Sequence, residues 1–124
     1  MRVKKLLEAK GSQVYTVSPD ATVYDALKLM SEKEIGALVV VENGKMVGIF
    51  SERDYARKVI LKGKNSQETL VKEIMTTNVL HASPKQKIRK CLSLMTKNHF
   101  RHLPIIEDDQ VVGIISIEDV RRLW

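Results

Sequence analysis

Two short stretches carry the residue types from which chemistry could be built. Ser51 and Asp54 follow Gly48-Ile49-Phe50, and Ser116 and Asp119 follow Gly113-Ile114-Ile115 with the same spacing. In each, an apolar strand ends, a hydroxyl follows, and a carboxylate stands at the mouth of the next helix. One reading is structural: a capping box, in which the serine oxygen accepts from a helix N–H and the acid reaches back to the serine N–H. The other is a ligand corner. A preceding glycine lets another backbone or a ligand come close. A helix N-terminus offers unpaired N–H groups and partial positive charge to a phosphate. The aspartate could accept from both hydroxyls of a ribose. It would repel the phosphate, so cations must stand nearby, and Arg53, Arg101 and His102 are the candidates.

Other constellations say less. His99-x-x-His102 with Cys91 lacks the repeated ligand spacing of a zinc site, so no metal is expected. Neither a Gly-x-Gly-x-x-Gly nor a Walker-type phosphate loop is present. No serine or cysteine has a base and an orienting acid in its pattern, so no catalytic residue is expected and the chain reads as a non-enzyme.

The elements that hold the corners occur twice. Thr16–Val59 aligns without a gap on His81–Trp124, matching Ser18-Pro19 with Ser83-Pro84, Met30 with Met95 and Val47-Gly48-Ile49 with Val112-Gly113-Ile114. Val14–Val17 reads as a short strand stopped by Ser18-Pro19. Val23, Ala26, Leu27 and Met30 form one stripe of an amphipathic helix capped by Thr22, and Ile88, Cys91, Leu92 and Met95 repeat it. Cys91 and the two methionines are therefore expected in the core. Leu38–Val41 is apolar and β-branched enough for a strand buried on both faces. Asn43-Gly44 then signals a tight hairpin; Asp108-Asp109 is the weaker signal in its place. Pro104 should lie at a strand start or an edge. A second helix is expected from Glu52 to Leu61, ending at Lys62-Gly63, with its counterpart from Ile117 onward. The leader Val3–Leu7 resembles Val71–Met75, although it lies further upstream of its repeat. The fold class is thus α/β (α+β): two tandem β-α-β-β-α repeats, 1–62 and 70–124, joined by a polar connector over 62–69. Each is too small to bury its own sheet face, so the two are expected to pack together.

The chain has 124 residues, 44% hydrophobic and 29% charged, as in ordinary globular proteins. No run approaches a membrane span, and Met1-Arg2-Val3-Lys4-Lys5 lacks the apolar core of a signal peptide. The single cysteine excludes an intrachain disulfide and suits a reducing compartment, so the cytoplasm is expected. A formal net charge of +6 suggests an anionic partner, with a locally dense basic run at Arg53–Lys64. Aromatics make up only 5%, which argues against a base-stacking surface, and nucleic acid is not the expected partner.

The duplicated Gly-x-x-Ser-x-x-Asp corners, Val71-Lys72-Glu73-Ile74-Met75-Thr76, the Ser-Pro helix starts and Arg101-His102-Leu103-Pro104-Ile105-Ile106 together resemble a cystathionine-β-synthase (CBS) domain pair, or Bateman module, over essentially the whole chain. The closest likeness is to small stand-alone pairs with a segment like Ser51–Lys58. The resemblance implies repeats related by a pseudo-two-fold axis and a sensor of adenosine-containing ligands: AMP, ADP, ATP, NAD(H) or S-adenosylmethionine. It implies two clefts, each joining the corner of one repeat to the strand entrance of the other. Cleft one would combine Ser51, Arg53, Asp54, Thr76 and Thr77 with Phe100, Arg101, His102 and Pro104. Cleft two would combine Ile35, Gly36 and Ala37 with Ser116 and Asp119. Cleft two has Glu118 at the place of Arg53, and its leader Leu6-Leu7-Glu8-Ala9 departs from the family's Ile-Met-Thr pattern. Cleft one is therefore the expected nucleotide site, with AMP or another adenine nucleotide as ligand and no cofactor required. A homodimer and a regulated partner protein are the expected associations, with no membrane. Two alternatives stand beside this: a nucleic-acid-binding protein using Arg53–Lys64, and a structural dimerisation module without ligand.

Overall fold

A computed structural model of the chain describes residues 1–123. Its backbone falls into two compact units that are not consecutive in sequence. Tyr15–Val79 forms a continuous unit; Met1–Val14 joins the chain from Leu80 onward in a composite unit. These units cut the chain differently from the two repeats. The segment that opens each repeat provides the reason, because it packs with the body of the other repeat.

The continuous unit contains β1 (Thr16–Val17), α2 (Val23–Lys33), β2 (Ala37–Glu42), β3 (Lys45–Ser51), α3 (Glu52–Lys58) and α4 (Val71–Ile74); the composite unit contains α1 (Val3–Lys10), α5 (Ile88–Asn98), β4 (His102–Glu107), β5 (Gln110–Ser116) and α6 (Ile117–Leu123). In the former, β1 runs parallel to β2, which pairs antiparallel with β3. In the latter, β4 and β5 form the antiparallel pair, and an isolated parallel bridge between Ala82 and Ile105 stands where β1 would be. Leu38, Val39 and Val40 are fully buried, as a strand covered on both faces requires.

Helix α2 starts where Thr22 Oγ1 accepts from the Asp25 N–H at 3.1 Å. It buries Val23, Ala26 and Met30; α5 buries Ile88, Cys91 and Met95 at the same spacing. Each hairpin turns through two residues at positive φ, Asn43 and Gly44 in one, Asp108 and Asp109 in the other. The weaker acidic signal thus makes the same turn, because aspartate tolerates the left-handed region better than most residues. Pro104 lies three residues into β4. Its carbonyl faces Ala82, accepting at 3.1 Å, so the missing N–H points away from β5 and costs the hairpin nothing.

The second helix of the first repeat ends sooner than expected. Helix α3 stops at Lys58, and Val59 turns inward to full burial with φ −114 and ψ −69. A single 3-10 turn over Ile60–Lys62 then carries the chain to Gly63 at φ 68. Burial of one β-branched side chain outweighs continued helix here.

Candidate functional site

Both corners are complete capping boxes. Ser51 N–H donates to Asp54 Oδ2 at 3.0 Å and Asp54 N–H to Ser51 Oγ at 3.2 Å. Ser116 N–H donates to Asp119 Oδ2 at 2.9 Å and Asp119 N–H to Ser116 Oγ at 3.0 Å. The structural reading of the spacing therefore holds in both units. A ligand role must be built on top of it, because each carboxylate keeps further acceptor positions.

Those remaining positions are filled differently. In the continuous unit, α4 ends at Ile74 and Met75 turns extended, at ψ 155. The chain then runs beside β3, where Thr76 exchanges backbone hydrogen bonds with Ile49, both 2.9 Å. This aims the Thr76 hydroxyl at Asp54 Oδ1, 3.2 Å away. Lys58, one helical turn beyond Asp54, adds an ion pair at 3.0 Å and donates to the Ile74 carbonyl at 3.1 Å.

In the composite unit, α1 does not break at the matching place. Glu8, Ala9 and Lys10 are better helix formers than Thr76 and Thr77, and α1 continues to Lys10 before Gly11 closes it at φ 98. No threonine is delivered to the corner. The Lys10 ammonium reaches it instead, donating to the Ile114 carbonyl at 2.6 Å and to Asp119 Oδ2 at 2.7 Å. One cation thus answers both the strand carbonyl and the carboxylate. Arg122 adds a contact to Asp119 Oδ1 at 3.2 Å. Burial alone would push the Asp119 carboxyl up, but Lys10's hydrogen bond and charge, with the Ser116 amide and hydroxyl, outweigh it and hold the carboxyl below its ordinary range.

Among the other candidates, Arg53 and Thr77 are exposed on the continuous unit. Gly36 lies beside the start of α3, its carbonyl accepting from Glu52 N–H at 3.1 Å. Ile35 and Gly36 line an open pocket of about 410 Å³ with Leu27, Met30, Ser31, Glu34 and Glu52, whereas Ala37 is buried. On the composite unit, the Arg101 carbonyl accepts from Ile117 N–H at 3.0 Å, and its guanidinium pairs with Glu118. His102 opens β4, Pro104 is buried within it, and Phe100 N–H closes α5 on the Met95 carbonyl at 2.9 Å. Cys91 is fully buried, and that burial pushes its thiol up against the opposing pull of Lys90. Among the described residues no cluster of His, Cys, Asp or Glu could hold a metal ion.

Sequence reasoning missed Lys58 and Lys10. The Asp54-x-x-x-Lys58 spacing is a helical ion-pair signal and was there to be read. Lys10 gave none, because 109 residues separate it from Asp119.

The CBS domain model matches residues 8–61 and 71–124. CBS domain-containing protein CBSX3, mitochondrial, of Arabidopsis thaliana is 43% identical over 92% of this chain, which spans 57% of that protein. The crystal structure of the CBS-domain containing protein ATU1752 from Agrobacterium tumefaciens matches with TM-score 0.93 and 37% identity, covering 98% of each chain. The CBS domain pair of protein MJ0100, solved with 5'-methylthioadenosine and S-adenosyl-L-methionine, matches with TM-score 0.87 and 29% identity over 99% of this chain and 94% of that one.

Proposed function

The chain belongs to the CBS-domain family, and from that premise we propose that it is a non-enzymatic regulatory sensor of an adenosine-containing ligand. The site is cleft one. Ser51, Arg53, Asp54, Thr76 and Thr77 belong to the continuous unit, and the family resemblance adds Phe100, Arg101, His102 and Pro104. Asp54 accepts from the ribose hydroxyls; Ser51 and Arg101 face the phosphate. AMP or another adenine nucleotide is the ligand, and the adenosyl ligands of the MJ0100 pair support that chemical class. Binding shifts the module between states in proportion to its differential affinity for them, and a partner protein reads the shift. A homodimer in the cytoplasm completes the proposal; sedimentation of apo and nucleotide-bound protein as a monomer in both would remove the dimer.

One observation carries the choice of corner. Asp54 is answered by a neutral hydroxyl and by Lys58, whose side chain is 43% exposed, whereas Asp119 is held by Lys10, only 19% exposed. A solvated lysine can leave a carboxylate for a ribose at little cost. Each lysine also donates to a backbone carbonyl, so the difference lies in exposure: the more buried Lys10 gives up its carboxylate at greater cost.

Calorimetric titration of AMP and ATP into the wild type, Asp54→Ala and Asp119→Ala tests this. Loss of a charged hydrogen-bond partner should weaken binding to Asp54→Ala by about tenfold to a hundredfold. Asp119→Ala should bind within about twofold of the wild type, as an interaction the ligand does not make cannot be lost. Equal loss in both variants, or loss only in Asp119→Ala, would falsify the assignment, and absence of binding to the wild type would remove the sensor itself.

A further inference from the structure

The net charge is not shared between the units. The continuous unit carries nine Lys and Arg against nine Asp and Glu, the composite unit twelve against six. The whole excess of +6 therefore lies in the composite unit, and the basic run Arg53–Lys64 lies in the electroneutral one.

Within the composite unit the fold gathers the cations further. Residues 1–5 lie against residues 84–90, with Val3 N–H on the Gln86 carbonyl at 2.8 Å, Lys4 N–H on Pro84 at 2.9 Å and Ile88 N–H on Met1 at 2.9 Å. The Arg2 guanidinium ties the seam from outside, donating to the Lys85 carbonyl at 2.5 Å. Arg2, Lys4 and Lys5 on one side thus meet Lys85, Lys87, Arg89 and Lys90 on the other, all seven exposed. Neither stretch contains an acid; Glu8, one turn along α1, is the nearest in sequence. Among the described residues none of the seven makes an ion pair, although Lys10, Arg101 and Arg122 of the same unit all do.

We propose that this seam is a surface for the phosphate backbone of nucleic acid, bound without reading sequence. Five lysines and no aromatic make a poor protein interface, where lysine is depleted and aromatic anchors are the rule. An amphipathic membrane anchor needs a free apolar face, and that of α1 (Val3, Leu6, Leu7) is buried in the unit's own core. Exposed cations grouped without carboxylates suit phosphate neutralisation. The scarcity of aromatics excludes base stacking but not backbone contact. This surface does not depend on the adenosine reading.

Fluorescence anisotropy with labelled duplex DNA and single-stranded RNA of arbitrary sequence tests it on the full chain. Some four phosphate contacts, at a slope of about −0.9 each, predict at least a hundredfold loss of duplex affinity between about 50 and 200 mM salt. Lys4→Gln, Lys87→Gln and Lys90→Gln together should flatten that slope by about 2.7 and weaken binding roughly tenfold or more at low salt. The same three positions changed to arginine should keep binding, which separates charge from folding. Salt-independent or absent binding overturns the proposal. So does equal loss with Arg57→Gln, Lys62→Gln and Lys64→Gln in the other unit, or binding only to phosphatidylserine vesicles or to polyglutamate.

Discussion

Lys10 decides what the second corner is. Its ammonium holds the Ile114 carbonyl and the Asp119 carboxylate together, and both corner partners lose a donor if it is removed. Lys10→Met keeps the side chain's length without the charge. It should cost about 1–3 kcal/mol at neutral pH, the usual consequence of stripping a charged hydrogen-bond partner from a nearly buried group. The pH dependence has a definite sign. Asp119 is held below its ordinary range when folded, so its stabilisation is fully present above the unfolded carboxylate value of about 3.9 and is lost as pH falls through the lower folded value. The gap between wild type and Lys10→Met in urea unfolding should therefore be widest at neutral pH and close in acid. A gap that stays constant down to the acid limit would show that Lys10 acts through packing of its stem alone. The Ser-to-Asp spacing and the Asp54–Lys58 pair were legible because they are local. The Lys10 contact was not, since it depends on where a distant helix happens to stop.

At the scale of elements, each unit contains a strand glycine with a helix segment pressed against it. A Cβ at Gly48 would meet Met75 Sδ at 2.7 Å and the Thr76 carbonyl oxygen at 2.8 Å. At Gly113 it would meet Leu7 Cδ2 at 2.7 Å and Cδ1 at 2.9 Å. Leu7 and Met75 thus do the same job, which explains why the leader and linker sequences look alike. The obstacles differ in kind, however. Leu7 can rotate or shift its tip, whereas the Thr76 carbonyl is fixed in a backbone bridge to Ile49. Gly48→Ala should destabilise by about 2–3 kcal/mol and Gly113→Ala by nearer 1, the upper and lower parts of the overpacking range. Urea midpoints of the two variants at one pH give the comparison, and a Gly113→Ala loss as large as that of Gly48→Ala would contradict it. The periodic helices and hairpin turns were readable because burial and backbone chirality repeat with the sequence. The end of α3 was not: only tertiary burial of Val59 distinguishes stopping at Lys58 from continuing to Leu61.

At the scale of the molecule, the duplicated sequence does not give two independent halves. The continuous unit takes its own following helix, α4, and is one stretch of chain, whereas the composite unit borrows α1 from the other end of the sequence. That helix places Val3, Leu6 and Leu7 in the core with Ile88, Met95, Ile105 and Ile115. Burial of three such side chains is worth roughly 4.5–9 kcal/mol at about 1.5–3 kcal/mol each. This is comparable with the whole stability of a small domain, about 5–15 kcal/mol. A fragment spanning 15–79 should therefore unfold cooperatively, while one beginning at 80 should not, although its repeat contains the same hairpin and the same two flanking helices. Adding a synthetic peptide of residues 1–14 should restore a cooperative transition to the second fragment, followed by circular dichroism on heating. The same peptide carrying Leu6→Ala and Leu7→Ala should fail to do so, because it keeps the charges of the leader and loses only what it buries. A sharp transition from the second fragment alone, indifferent to either peptide, would mean that the repeat folds within its own bounds and that α1 merely decorates it.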